Sequence, residues 1–336
     1  MAFFKIAISV AILSWLFNKA IQGNQFELIA GREKNWLWIF IAFAFCVAAH
    51  LFSFVRWRFL VRALDIPFSV LDAIRIGMVG IFFGLFMFGI VGGDSIRMYY
   101  AARNAKHKLA QVVCSVFADR IIGMLSMFTF ATIGFWFVDL ETTDVADPEM
   151  LAGIQFLCQL VMLMTTIGWL AVIACLVTPL HWTTKVFTWL KKVPKVGEQF
   201  AKIEDVFQLY RSRLGAIAIC FVLSGLVNLC FIVSIYFVAA GLNVPHPSLA
   251  QHVVVAPISM TANAVPLPGG IGGMEVVLSY LYEGMTGANK EGQFGISVAF
   301  LFRFMLLSLA AMGAFAWFVA RKQMKALVSD ERNSTA

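Results

Sequence analysis

The chain has 336 residues, 60% of them hydrophobic and only 13% charged, with a formal net charge of +7. A soluble domain of this length carries about twice that charged fraction, which excludes soluble enzymes and nucleic-acid-binding modules. Runs of roughly 20 apolar residues recur, each enough to cross a ~30 Å hydrocarbon core, so the composition predicts an all-α polytopic membrane protein.

The first apolar run covers residues 3–17. No small-x-small cleavage site follows it, so it reads as a retained first span and not as a signal peptide. Further spans are predicted over 36–55, 110–138, 152–178, 214–240 and 294–320. Two other apolar runs, 69–91 and 249–282, are interrupted by glycine and proline. Basic loops group at 56–62 (Arg56, Arg58, Arg62), at 97–108 (Arg97, Arg103, Lys106, Lys108), over 179–213 and after 320. The loop 139–150 holds acids and no base. The positive-inside rule places the first group in the cytoplasm and the acidic loop outside.

Run 69–91 then has cytoplasmic-type loops at both ends, and run 249–282 has non-basic loops at both ends. Each is therefore predicted to enter and leave by the same membrane face as a re-entrant hairpin. Glycine and proline break the helix where such a hairpin turns. That backbone survives at membrane depth only inside protein or beside a wet cavity. The expectation is six full spans and two oppositely oriented re-entrant helical hairpins. They form an inverted-topology repeat of residues 1–145 and 146–336, with both termini cytoplasmic.

Short matches support the repeat. Leu64-Asp65-Ile66-Pro67 matches Leu242-Asn243-Val244-Pro245. Asp94 follows Gly92-Gly93 as Glu275 follows Gly272-Gly273, and Arg120 and Arg303 each lie about ten residues into the next span.

The segment P-L-P-G-G-I-G-G-M-E, residues 266–275, starts a new short helix within the second hairpin. Its free N–H groups and dipole make a backbone anion site. Pro268, Gly269, Gly270, Gly272 and Gly273 let a ligand approach, and Glu275 lies in the first turns. The alternative is that these glycines only allow close helix packing. Asp94 and Arg97, three apart, share a helix face. The alternative there is a solvated pair at the membrane boundary. Asp119 and Arg120 point about 100° apart, so each needs a partner elsewhere, and a charge at this depth costs at least about 2.5–3.5 kcal/mol. For Arg120 and Arg303 two readings stand side by side. One is a structural ion pair with Glu275 or Asp94; the other is a guanidinium fork that holds an anionic headgroup. His50 reads as a packing residue, while His252 and Asn263 are placed on the outer hairpin. Trp36 and Trp38 mark one end of the second span and Trp57 the other.

The six cysteines all fall in apolar runs without a C-x-x-C spacing, and there is no zinc spacing and no nucleotide-binding motif. They read as small buried hydrophobes. No metal, no cofactor and no catalytic residue is expected, and no feature specifies an oligomeric state.

The Gly-Gly-Asp-x-x-Arg element at 92–97, Asp119-Arg120-x-x-Gly123, and Pro-Gly-Gly-Ile-Gly-Gly-Met-Glu at 268–275 resemble a flippase-like transmembrane family. That family is named after the membrane region of lysylphosphatidylglycerol synthase. The resemblance spans about residues 5–322 and does not include the soluble aminoacyl-transferase domain, so lipid lysylation is not carried over. It implies a multi-pass protein of the inner (cytoplasmic) membrane that moves a lipid or lipid-linked headgroup between leaflets, with the residues above at the substrate site. Without an ATP motif, movement runs downhill or couples to an ion gradient. An intramembrane enzyme acting on a lipid phosphate would need a nucleophile or metal array that the sequence lacks. A transporter of non-lipid solutes fits the same architecture.

Overall fold

A computed structural model describes residues 31–86, 89–104, 108–137, 148–177, 197–264, 272–286 and 294–334. Their regular structure is helical: α1 (Trp36–Arg62), α2 (Val70–Phe86), α3 (Gly89–Asn104), α4 (Leu109–Phe137), α5 (Pro148–Val177), α6 (Gly197–Ser212), α7 (Leu214–Leu242), α8 (Leu249–Thr261), a 3-10 turn (Ala262–Ala264), α9 (Gly273–Thr286) and α10 (Phe294–Ser334). Among the described residues, five segments are long and apolar enough to cross a membrane: Trp36–Arg62, Leu109–Phe137, Pro148–Ala174, Leu214–Leu242 and Phe294–Phe315. The protein is a multi-pass membrane protein. The run predicted over 3–17 lies outside the described residues, as do the boundary at 145/146 and residues 265–271, which include Pro268, Gly269 and Gly270.

The last helix runs to Ser334 where its span was expected to end at 320, α5 starts at Pro148 where 152 was expected, and two further differences bear on the site. The helix expected to end at residue 55 continues to Arg62, and the basic segment 97–104 is helical as part of α3. Arg56, Arg97 and Trp57 are buried instead of lying at a membrane interface. Hydropathy counts every arginine as loop-like, but apolar residues continue around Arg56 with no breaker before Pro67.

Each interrupted run resolves into two short helices. α3 runs back along α2, and a Cβ on Gly93 would collide with the Gly80 carbonyl, so the two backbones cross in direct contact. α8 and α9 pack together likewise, either side of the break. The packing is reciprocal. α1 lies along α7, α2 packs on α10 as α8 packs on α4, and α3 rests on α4 as α9 rests on α10. The two hairpins meet where α3 touches the 3-10 turn.

The entry to each hairpin is also built twice. Asp65 (φ 55°) and Asn243 (φ 53°) are the only non-glycine residues with positive φ among the described residues. Short polar side chains tolerate this left-handed conformation best. Each turn carbonyl receives a cation: Lys108 Nζ donates to Asp65 O at 2.8 Å and Arg32 Nη1 to Asn243 O at 2.7 Å. A serine then opens the next helix with a reciprocal cap, Ser69 with Asp72 before α2 and Ser248 with Gln251 before α8. Such a cap satisfies two backbone donors that the first turn leaves free.

The larger core gathers Ile235, Val255, Leu278, Phe302 and their neighbours from α1, α4, α5 and α7 through α10. A second core holds Trp57, Val61, Leu64, Phe68, Val112 and Val116, with Val206 of α6 packed into it. The Tyr210 hydroxyl on α6 donates to Leu60 O at 3.2 Å, tying this helix to the end of α1. Outward-facing apolar side chains cover the long helices, Phe156, Leu163, Ile167 and Leu170 on α5 among them. A surface so apolar requires lipid or protein around it.

Candidate functional site

Among the described residues, charged side chains within the helices gather into two clusters. In the first, α1, α3, α4 and α7 bring together Arg56, Asp94, Arg97, Asp119 and Arg120. Asp119, whose side chain is 1% exposed, accepts from Arg56 Nε at 2.8 Å on Oδ1 and from Arg97 Nη2 at 3.4 Å on Oδ2. Asp94 is held bidentately by Arg120, with Nε to Oδ2 at 2.7 Å and Nη2 to Oδ1 at 2.6 Å, and Arg97 Nη1 reaches Oδ1 at 3.3 Å. Arg56 Nη1 donates to Ser224 Oγ at 2.9 Å, which brings α7 into the cluster. The Arg97 guanidinium lies over the Trp57 ring at 4.3 Å, and the Trp57 indole N–H donates to Ser115 Oγ at 3.2 Å. Gly80 makes room for Arg97: a Cβ there would stand 2.7 Å from Arg97 Cγ.

The second cluster is smaller. Glu275, fully buried, accepts from Arg303 Nε at 2.6 Å on Oε1 and from the Gly272 backbone N–H at 2.9 Å on Oε2. Gly272 has φ 103°, a conformation glycine adopts without strain. It precedes the first residue of α9, so Glu275 closes the helix start with its side chain, in a favourable place for a negative charge. Arg303 Nη2 also reaches Asn263 Oδ1 at 3.4 Å.

Of the residues read from the sequence, Asp94, Arg97, Asp119 and Arg120 lie together, and Gly272, Gly273, Glu275 and Arg303 form the other group. Asp119 and Arg120 do face different partners. Arg120 and Arg303 each hold an acid that follows a glycine pair, Asp94 and Glu275. The ion-pair reading is therefore present in the geometry, with the exposed part of Arg120 left over. His50 Nδ1 lies 2.9 Å from Cys46 O, a packing contact. His252 is fully buried, with Nδ1 2.9 Å from Ser248 O and Nε2 2.7 Å from the Tyr282 hydroxyl. A carbonyl can only accept, so Nδ1 carries the proton and Nε2 accepts from Tyr282. Arg56, Trp57 and Ser224 were not legible as site residues. For Arg56 the available signal was the apolar pattern that runs past residue 55 without a breaker.

The two clusters differ in exposure. The Arg120 side chain is 41% exposed, against 11% for Arg303. Arg120 lies 11 residues from the start of α4, about 17 Å along the axis at 1.5 Å per residue, well within a hydrocarbon core. Its neighbours on the same helix face, Phe117 and Met124, are exposed apolar side chains. A guanidinium thus sits beside an outward-facing apolar stripe, already tied to a carboxylate by two of its nitrogens.

A family model described as the lysylphosphatidylglycerol synthase TM region matches residues 2–323. No curated protein and no solved structure matches the chain.

Proposed function

This chain belongs to the lysylphosphatidylglycerol synthase transmembrane family, and we propose that it moves a phospholipid-like or lipid-phosphate-linked headgroup between leaflets, without an ATPase of its own. The observation that carries this reading is the partly exposed Arg120 side chain, well inside α4 on its apolar outer face. A lipid presents its phosphate from within the bilayer, with its tails still in hydrocarbon. A soluble metabolite would need an aqueous path to the same place.

The repeated architecture supports the same reading. The matching left-handed turns, matching helix caps, reciprocal packing and the two equivalent acid–arginine pairs are what two inverted halves would produce. In such proteins the site lies where broken helices from the halves meet, and rocking of one half against the other exposes it to each side in turn. The contact between α3 and the 3-10 turn fits that meeting point. In this reading α2–α3 and α8–α9 are the two re-entrant hairpins, in an inner-membrane protein with both termini cytoplasmic.

The test is lipid translocation in vesicles that contain the purified protein. A headgroup-labelled phospholipid or lipid phosphate on the inner leaflet should become accessible to a membrane-impermeant quencher faster than in protein-free vesicles. Arg120→Ala should abolish the acceleration while the protein stays folded. An unaltered rate with wild-type protein for both lipid types would overturn the proposal.

A further inference from the structure

The two clusters are not equal in charge, and the difference lies at a few corresponding positions. Asp94 corresponds to Glu275 and Arg120 to Arg303, each acid accepting from the Nε of its arginine. Three residues after the acid, the first half has Arg97 and the second has Leu278. One residue before the arginine, the first half has Asp119 and the second has Phe302. Leu278 and Phe302 are fully buried in the apolar core. With Arg56 included, the first cluster holds three guanidiniums against two carboxylates among the described residues. The Glu275–Arg303 pair is balanced.

The uncompensated charge in the first half has matching unused donors. Arg97 Nε is buried with no hydrogen-bond partner. Arg120 gives Nε and Nη2 to Asp94, which leaves Nη1 for a ligand on a side chain that is 41% exposed. A net positive charge at membrane depth is costly without a counter-ion. One bound anion of single charge neutralises the cluster, whereas a dianion reverses its sign.

We propose that the first-half cluster is a seat for one phosphodiester monoanion, contacted by Arg120, and that it selects lipids of single net negative charge. Arg56 and Arg97 act as positioning residues that hold Asp119 and set the surplus charge, while the Glu275–Arg303 pair is a neutral structural counterpart. The proposal rests on the translocation reading above and specifies its substrate class. A zwitterionic phospholipid brings a cation with its phosphate and restores the surplus. A phosphomonoester lipid brings about two charges above pH 7 and overshoots it.

The experiment is competitive retention, at pH 8, of equimolar dioleoyl phosphatidylglycerol, phosphatidylcholine and phosphatidic acid by the detergent-purified full chain, read by native mass spectrometry. Wild-type protein should retain phosphatidylglycerol over each competitor by at least about tenfold, the factor equivalent to about 1.4 kcal/mol. Arg97→Leu, which installs the residue of the second half, should bring the three lipids within about threefold of one another. Arg97→Lys keeps the charge and should keep the preference, so the comparison holds even if Arg97→Leu fails to fold. Equal retention of phosphatidic acid or phosphatidylcholine by wild type, or an undiminished preference in Arg97→Leu, overturns the seat. Translocation in vesicles without lipid preference overturns only this inference. Preference without translocation overturns only the function proposed above.

Discussion

Removing the charge of Glu275 separates a structural pair from a substrate site. Glu275→Gln keeps the side-chain shape, but it leaves Arg303, 11% exposed, without its carboxylate. It also turns an amide nitrogen toward either Arg303 Nε or the Gly272 N–H, both of which are donors. Breaking a buried ion pair by removing one partner costs about 3–5 kcal/mol, on the order of 5–10 °C in Tm for a chain of this length. Arg303→Met should cost less than that, because Glu275 retains the Gly272 N–H and the helix start. The double variant removes both charges and leaves an apolar side chain beside a neutral amide. It should recover at least about 2 kcal/mol relative to the sum of the single changes, a coupling in the range seen for contacting residues. The assay is thermal unfolding of each purified variant in one detergent, with lipid translocation measured in parallel. Additive losses, or a Glu275→Gln loss below about 1 kcal/mol, would refute the claim that Arg303 is held mainly by Glu275. Translocation abolished by the single changes at unchanged stability would move Arg303 into the lipid-binding machinery.

Two further outcomes follow from the same geometry. Arg56→Met removes the closer partner of Asp119, whose side chain is 1% exposed, and leaves it only the longer 3.4 Å contact to Arg97. It should destabilise the fold by about 3–5 kcal/mol in thermal unfolding, and a change close to zero would mean that Arg56 is not the main partner of Asp119. Gly272→Ala forces a side chain onto a backbone at φ 103°, which costs of order 1–3 kcal/mol. The Tm should fall accordingly, and an unchanged Tm would show that the turn before α9 relaxes freely.

The sequence alone carried the membrane class, because apolar runs of about 20 residues have no other stable solution. It also carried the positions of the long helices among the described residues and the two interrupted runs. These are local or repeated patterns, and local patterns survive in one dimension. Asp65 and Asn243 were matched by sequence within two similar four-residue stretches, and their shared left-handed conformation follows from the same short polar chemistry.

The tertiary structure decided which charges meet. Asp119 finds Arg56 across 63 residues, and Arg56 finds Ser224 across 168. No window of hydropathy spans such distances, and to hydropathy Arg56 and Arg97 were loop cations. The structure also decided the asymmetry between the two charged clusters. Leu278 and Phe302 are unremarkable in a sequence this apolar, and their meaning emerges only when α9 and α10 are set against α3 and α4. A charge inside a membrane is stable only with its partners in place, and those partners come from helices that folding, not chain order, brings side by side.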